Sequence, residues 1–151
     1  MADLSLSEFA DRITGMMPVI MREFMRHQGN EFHKLKITMP QFFVLEFLHR
    51  SGECRMGDVA KFMNVTMAAV TGIVDRLVRD GYALRDSDLK DRRIVKIRLT
   101  AKGAKAVKDM VGLRKRASIK LFEMISSKER AQYLNILTRI TERIQERDKK
   151  R

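Results

Sequence analysis

The stretch that most constrains the fold of this chain is residues 81–100, GYALRDSDLKDRRIVKIRLT. Its second half alternates strictly, with Val95, Ile97 and Leu99 separated by polar side chains, and a period of two is typical of a half-buried β-strand. A second short apolar segment precedes it, so the stretch predicts a β-hairpin. Charged side chains crowd the region between the two strands: Arg85, Asp86, Asp88, Lys90, Asp91, Arg92 and Arg93. A hairpin needs few arginines to fold, whereas one that enters a groove of DNA uses them.

The overall charge narrows the class of partner. The 151 residues include 31 Lys and Arg against 19 Asp and Glu, which gives a formal net charge of +12. This balance favours a polyanionic partner, with nucleic acid ahead of an anionic membrane surface. Solubility alone is the plain alternative, but the clustering of the charge argues against it. The length fits one domain, or one domain with a dimerisation element.

Cysteine usage and hydropathy indicate the compartment. Cys54 is the single cysteine, so no internal disulfide forms and a reducing compartment is favoured. Asp3 and Glu8 interrupt what would be a signal peptide. The nearest approach to a membrane span is residues 42–48, which are too few and contain Glu46. We therefore expect a cytoplasmic protein with no membrane partner.

The first helix is predicted to begin at Ser5, because Glu8 completes a capping box with it. An apolar stripe at helical spacing follows: Phe9, Ile13, Met16, Met17, Ile20 and Phe24. Pro18 falls inside the stripe and predicts a kink or a break. Residues 27–37 are polar and are expected to form a loop.

Helix start and stop signals divide the rest of the chain. The predicted starts lie at Thr38, residue 56, Thr66, Thr100 and Ser126. The predicted ends lie by Gly52, at Asn64, at Gly81 and near residue 125. The expected order is therefore four helices, the hairpin, and two more helices.

The third and fourth helices are separated only by Asn64 and Val65, a spacing typical of a helix-turn-helix whose second helix enters the major groove of DNA. A hairpin directly after that helix makes a winged helix. The outward face of the fourth helix offers small or polar side chains: Met67, Ala68, Thr71, Gly72 and Asp75. Thr66 and Thr71 can bond phosphate or base edges, and Ala68 or Met67 can touch a thymine methyl group. Arg76 either reaches a phosphate or pairs with Asp75 or Asp80.

Three segments together resemble the MarR family of bacterial transcription regulators: MPQFFVL at 39–45, VTMAAVTGIVDRLVRDGY at 65–82 and DRRIVKIRLTAKG at 91–103. The resemblance is continuous over roughly residues 5–145. It implies a mainly α fold with a small β-hairpin wing, a winged helix-turn-helix with N- and C-terminal dimerisation helices. The implied domains are a DNA-binding domain at 38–100 and a helical dimerisation region at 1–37 and 101–151.

The resemblance also implies how the wing works. In the family an arginine enters the minor groove and an aspartate two residues earlier holds it, which maps here to Arg93 and Asp91 with Arg92 between them. A fixed carboxylate pre-organises a long side chain, and a narrow minor groove attracts the guanidinium. A weak surface ion pair is the plain alternative.

The family further implies an intertwined homodimer that acts as a repressor and releases double-stranded DNA when a small apolar or phenolic effector binds. The apolar stripes of the terminal helices fit a second copy, although they could also pack on their own chain. The expected effector-lining residues are apolar: Met17, Met21, Phe24, Phe42, Phe43 and Met110. Such side chains at helical spacing are more commonly core.

Other chemistries have little support in the sequence. Cys54 does not match the first-helix cysteine of oxidant-sensing relatives, and Glu53 opposes any lowering of its pKa by Arg55, so a structural thiol is favoured. His27, Glu31 and His33 are close in sequence, and His27 and Glu31 are four residues apart, but the chain has no HxxxH or CxxC spacing, so neither a metal site nor a cofactor is expected. The chain shows no nucleophile triad, P-loop or GxGxxG motif, so an enzyme is not expected. A winged-helix module that coats DNA without choosing sequence stays open as the alternative function.

Overall fold

The computed structural model describes residues 4–87, 91 and 94–149 of the chain. The elements, in chain order, are α1 (Leu6–Lys34), α2 (Met39–Ser51), β1 (Cys54–Arg55), α3 (Met56–Met63), α4 (Met67–Arg79), β2 (Ala83–Ser87), β3 (Val95–Leu99), α5 (Ala101–Phe122) and α6 (Ser127–Lys149). The mainly α winged helix-turn-helix predicted from the sequence is confirmed. The strand β1 was not predicted, because its two residues are too few to show the alternation of a strand.

The local capping signals explain the helix boundaries. The Thr38 hydroxyl accepts a hydrogen bond from the Gln41 N–H, and the Gln41 side chain accepts one from the Thr38 N–H at 2.8 Å. Asn64 ends α3 in the left-handed conformation, with φ of 52°. Thr66 then starts α4 by accepting from the Ala69 N–H at 3.3 Å. Each of these boundaries was predicted, because each depends on residues close in sequence.

Part of the prediction for the first helix was wrong. Of the two outcomes predicted at Pro18, a kink or a break, the break does not occur, because α1 runs through Pro18 as one helix. Residues 27–34 are helical rather than loop. This segment contains one glycine and no proline, so polarity alone does not break it. The helical spacing also lets Glu23 pair with Arg26 at 3.6 Å and with His27 at 2.9 Å, which supports the middle of the helix.

The chain divides into two compact units. Unit 1 comprises residues 1–27 and 115–151, and unit 2 comprises residues 28–114. These bounds describe compactness, so the functional division of the chain at 38–100 stays a prediction.

Unit 2 has a closed hydrophobic core. Its antiparallel sheet has the order β1-β3-β2, and the central strand buries Ile97 completely. The other large side chains that are fully buried come from α2, α3, α4 and α5: Phe42, Leu45, Leu48, Leu77, Met110, Val44, Val59, Val70, Val74 and Val107. The helix α4 is therefore fixed along its inner face, which leaves its other face outward.

Among its described residues, unit 1, in contrast to unit 2, has almost no buried side chains. Of these residues only Ala117 is buried, and α6 buries none. The turn between α5 and α6 is nevertheless well bonded, because Arg130 donates to the carbonyl oxygens of Phe122 and Ile125 and the Phe122 and Tyr133 rings lie 5.3 Å apart. Among the described residues, no helix is long and apolar enough to cross a membrane.

Candidate nucleic-acid interface

The outward face of α4 is open. Val70, Val74 and Leu77 point into the core, and the opposite face carries the exposed residues Ala68, Gly72, Asp75, Arg76 and Arg79. Met67 at the start of the helix is 49% exposed. The predicted major-groove residues therefore lie on or beside one accessible helix face.

The beginning of α4 offers hydrogen-bond donors. Thr66 uses its oxygen to accept from the Ala69 N–H, so its hydroxyl hydrogen is available to an external acceptor. The first N–H groups of any α-helix lack intrahelical partners, and they attract anions such as phosphate. Thr71 is half-buried and donates its hydroxyl to the Met67 carbonyl oxygen at 2.8 Å, so it must rotate before it can donate to DNA.

Gly72 has no packing role within the described chain. A Cβ atom built there meets nothing within 4 Å. Glycine inside a helix costs about 1 kcal/mol relative to alanine. Gly72 therefore destabilises the helix, and no close packing contact in the described chain offsets that cost. A position without a side chain does let the backbone of another molecule approach the helix closely.

Two ion pairs show which charges near α4 are already engaged. Asp75 pairs with Arg85 of β2 at 2.7 Å, so the helix and the wing strand are joined directly. Asp80 pairs with Arg79 at 3.0 Å, and the hydrogen bond from Arg79 lowers the pKa of Asp80. Both carboxylates that could have held Arg76 thus form ion pairs with other arginines, although the charge of Arg76 also contributes to lowering the pKa of Asp80, and Arg76 itself is exposed. No pattern in the sequence indicates the Asp75–Arg85 pair, because its two residues lie on different elements.

The stem of the wing is also paired. Arg98 of β3 donates to Asp86 of β2 at 2.9 Å, which joins the two strands of the hairpin below its tip. On the other side of β3, the Lys96 ammonium group lies 2.9 Å from the carboxylate of Glu53, the residue just before β1. The carbonyl oxygen of Asp91 accepts from the Ile94 N–H at 2.9 Å, and Asp91 makes further interactions. Arg92 and Arg93, with Asp88 and Lys90, lie outside the described residues, so their predicted role is untested.

The junction between α4, the wing and α5 explains the spacing of the sequence motif. Gly81 has φ of 77°, which ends α4 and turns the chain towards β2. The Thr100 hydroxyl donates to the Gly81 carbonyl oxygen at 2.7 Å and accepts from the Gly103 N–H at 2.9 Å. A Cβ at Gly103 would lie 2.0 Å from the Tyr82 carbonyl oxygen, so glycine is required there.

The predicted effector-lining residues have different environments. Met17 and Met21 of unit 1 are about half exposed, whereas Phe42 and Met110 of unit 2 are fully buried in its core. Phe24 is half-buried and Phe43 is 39% exposed. A groove of about 550 Å³ between α5 and α6 and one of about 750 Å³ between α2 and α5 are lined by other residues. The effector role of the six side chains stays a prediction.

Cys54 is half-buried in β1, opposite Ile97. Burial, followed by the nearby Asp58 and Glu53 carboxylates, raises the pKa of its thiol to about 11. The thiol is therefore protonated at neutral pH, which is typical of a structural cysteine. Within the described residues, no group of three or more His, Cys, Asp or Glu side chains is arranged to hold a metal ion.

Comparison with known proteins agrees with this geometry. Residues 37–95 match the model of the MarR family. The chain is 34% identical over 119 residues to the uncharacterized HTH-type transcriptional regulator YfiV of Bacillus subtilis, covering 75% of this chain and 72% of that protein. It is 28% identical over 122 residues to the HTH-type transcriptional repressor MdtR of the same organism, covering 81% and 74%.

A solved MarR family protein from Bacillus stearothermophilus has the same fold, with a TM-score of 0.77 and 22% identity over 94% of this chain and 99% of that one. Both helices of the helix-turn-helix, α3 and α4, lie within the residues 37–95 that match the family model. The protein belongs to the MarR family of winged helix-turn-helix transcriptional regulators.

Proposed function

We propose that this regulator binds double-stranded DNA sequence-specifically as a homodimeric repressor, and that a small molecule releases it. The observation that carries the proposal is the outward face of α4, which is accessible, carries the small residues Ala68 and Gly72, and is joined to the wing by the Asp75–Arg85 ion pair. Because one face of α4 packs against the core and the opposite face is exposed, the helix can enter the major groove while the wing contacts the flanking DNA.

The proposed contacts divide by role. Thr66, Met67, Ala68 and Thr71 read base edges or bind phosphate from the first turns of α4. Arg76 contacts phosphate further along the helix. The wing arginines, Arg93 with Arg92 beside it, enter the minor groove, and Asp91 orients Arg93 there.

The homodimer is supported by the apolar surface of unit 1. The exposed apolar side chains of α1 and α6 follow helical stripes, and each is more than 40% exposed: Phe9, Ile13, Met16, Met17 and Ile20 in α1; Tyr133, Leu137, Ile140 and Ile144 in α6. Contiguous apolar surface of this kind marks an interaction site. A second copy would cover it symmetrically and present two recognition helices about 34 Å apart, one turn of DNA.

Repression is supported by a relative, and release by an effector is supported by the chemistry of the predicted lining residues. MdtR, one of the relatives that are named repressors, aligns with 81% of this chain. The methionines and phenylalanines of the predicted effector set offer a deformable apolar lining for an apolar or phenolic molecule. A DNA regulator of this kind works in the cytoplasm.

The test of sequence specificity is competition between duplexes. We expect the protein to select a near-palindromic site from a random pool and to bind it at least about 1,000-fold more tightly than random duplex. Affinity should fall steeply with salt, because several phosphates are neutralised in each half-site. Equal affinity for selected and random duplexes would instead support the module that coats DNA without choosing sequence.

The wing is tested by Arg93→Ala. Loss of a minor-groove guanidinium should weaken binding to the selected site by about tenfold and relax the preference at its A·T flanks. Binding is measured by fluorescence anisotropy at fixed salt. Unchanged affinity and flank preference would show that the wing assignment is wrong.

The recognition face is tested by Gly72→Ala, for which stability and binding should change in opposite directions. The methyl group meets nothing in the described chain and favours the helix, so thermal stability should rise slightly. The same methyl group should weaken binding to the selected duplex by about tenfold if the backbone approaches DNA closely there.

The matched control is Gly15→Ala in α1, where a Cβ also meets nothing within 4 Å. This variant should gain stability without losing affinity. If Gly72→Ala binds as tightly as the wild type, α4 does not approach DNA through this face.

A further inference from the structure

Tyr82 lies just beyond the end of α4, and its polar groups reach three different elements. Its N–H donates to the Leu77 carbonyl oxygen of α4 at 2.8 Å, and its own carbonyl oxygen accepts from the Thr100 N–H, just before α5, at 3.1 Å. Its hydroxyl donates to the Leu35 carbonyl oxygen, just after α1, at 3.1 Å. One residue thus joins the end of α4 to the end of α1 and the beginning of α5.

Lys102 closes the same junction from the first turn of α5. Its Nζ donates to the carbonyl oxygen of Asp80, the C-terminal cap of α4, at 2.6 Å, and lies 4.4 Å from the centroid of the Tyr82 ring. A cation at the carboxyl end of a helix is stabilised by the helix dipole, and a cation over an aromatic face gains a further attraction. The ammonium group therefore binds α4 and Tyr82 together.

The segment held by the Tyr82 hydroxyl is strained. Lys36 has φ of 50°, in the left-handed region that a residue with a Cβ adopts at a cost of order 1 kcal/mol. The Tyr82 hydroxyl donates its hydrogen bond to the carbonyl oxygen of Leu35, the residue just before Lys36. The end of α1 is thus a point where the loss or gain of one contact can change the backbone.

The two helices that meet Tyr82 and Lys102 are those that pass from one unit into the other. The helix α1 spans Leu6–Lys34 and crosses from unit 1 into unit 2 at residues 27–28. The helix α5 spans Ala101–Phe122 and crosses back at residues 114–115. Each helix therefore continues along the chain from this junction into unit 1.

We propose that Tyr82 and Lys102 are positioning residues that couple the orientation of α4 to α1 and α5. The inference rests on the DNA-binding role proposed for α4 and adds the route by which a change elsewhere in the chain reaches that helix. Neither side chain needs to touch DNA. Because coupling is reciprocal, DNA bound to α4 must also stabilise the end of α1.

Hydrogen exchange measures this reciprocity. The full-length protein is compared free and bound to a duplex that the wild type has selected from a random pool. In the wild type, DNA should slow exchange of the backbone amides in residues 35–38. In Tyr82→Phe, which removes one hydroxyl and keeps the ring, the same DNA should no longer slow them.

Slowing to the same extent in Tyr82→Phe, or no slowing in the wild-type complex, would overturn the proposal. These results differ from failure of the proposed function, in which the wild type selects no duplex at all. Thermal unfolding of the free variant shows whether Tyr82→Phe is folded, and the difference between bound and free states cancels any uniform loosening.

The second variant, Lys102→Met, distinguishes positioning from direct contact with DNA. Affinity for the selected duplex should fall about fivefold, while the slope of log affinity against log salt stays unchanged, because Lys102 binds a carbonyl group rather than a phosphate. A slope reduced by about 0.9, the value for one lost phosphate contact, or an unchanged affinity would overturn the assignment.

Lys128→Met is the matched control, because Lys128 is the second residue of α6 as Lys102 is the second residue of α5. It removes the same charge from an equivalent helical position. We expect neither the affinity nor the salt slope to change in this variant. A loss equal to that of Lys102→Met would show that net charge, rather than the junction, sets the effect.

Discussion

The two units of this chain differ in how far they bury their apolar side chains. Unit 2 buries Phe42, Leu45 and Ile97 completely inside its own residues. Unit 1 leaves Leu134 and Ile140 of α6 at least half exposed, although the helix itself is long and well capped. A sequence that forms a helix therefore does not by itself form a core, and the two units differ in whether their apolar side chains are buried within the chain.

The largest contrast is expected from one substitution made in each unit. Leu45→Ala should lower the free energy of unfolding by about 3 kcal/mol, because it leaves a cavity in a closed core. Leu134→Ala, whose side chain is 65% exposed within the chain, should cost under about 1 kcal/mol in protein dilute enough to be monomeric. Urea unfolding at several protein concentrations measures both.

The cost of Leu134→Ala should also grow with protein concentration, because a side chain buried by association stabilises only the associated form. If both substitutions cost the same at every concentration, the distinction between the two units is wrong.

Gly103→Ala tests the closeness of packing in unit 2. Its new methyl group would lie 2.0 Å from the Tyr82 carbonyl oxygen, and backbone cannot move as a flexible side chain does. We expect a loss of about 2 kcal/mol in the free energy of unfolding. Gly57→Ala, where a Cβ meets nothing within 4 Å, is the control and should not destabilise; a neutral Gly103→Ala would contradict the described junction.

The smallest effect concerns the helix caps of unit 1 in acid. The Ser126 hydroxyl and N–H donate to Glu129 at the start of α6 and lower the pKa of that carboxyl below its ordinary value of 4.5. A lowered pKa means that the cap stabilises α6 above pH 4.5 and that this contribution is lost as the pH falls through the folded value. Circular dichroism between pH 6 and pH 3 follows the loss.

Glu129→Gln separates this cap from the other carboxylates, since glutamine can accept the same hydrogen bonds without titrating. The variant should show less helix loss in acid than the wild type. If the two proteins lose helix identically in acid, titration of Glu129 does not contribute to the acid loss of helix.

The parts predicted from sequence are those fixed by neighbouring residues. Thr38 with Gln41, Asn64 and Thr66 set helix boundaries within four residues, and all were predicted. The extension of α1 to Lys34 was missed, because polarity was interpreted as a loop where no breaker stood. The strand β1 was missed because two residues carry no alternation.

The site was predictable to a similar degree. The face of α4 follows from its period, so Ala68 and Gly72 could be placed outward from sequence alone. The Asp75–Arg85 pair and the contacts of Tyr82 with Leu35 could not, because each joins residues brought together only by the folded junction. The roles of Arg92 and Arg93 rest on family resemblance.

The most direct test of the account is the mass of the complex between the full-length protein and its selected duplex, measured by native mass spectrometry. Two chains per duplex are predicted for the wild type. Leu137→Asp, which places a charge on the exposed stripe of α6, should give single chains that bind the duplex at least about tenfold more weakly. A complex with one wild-type chain per duplex, whose affinity does not change in Leu137→Asp, would contradict binding as a homodimer.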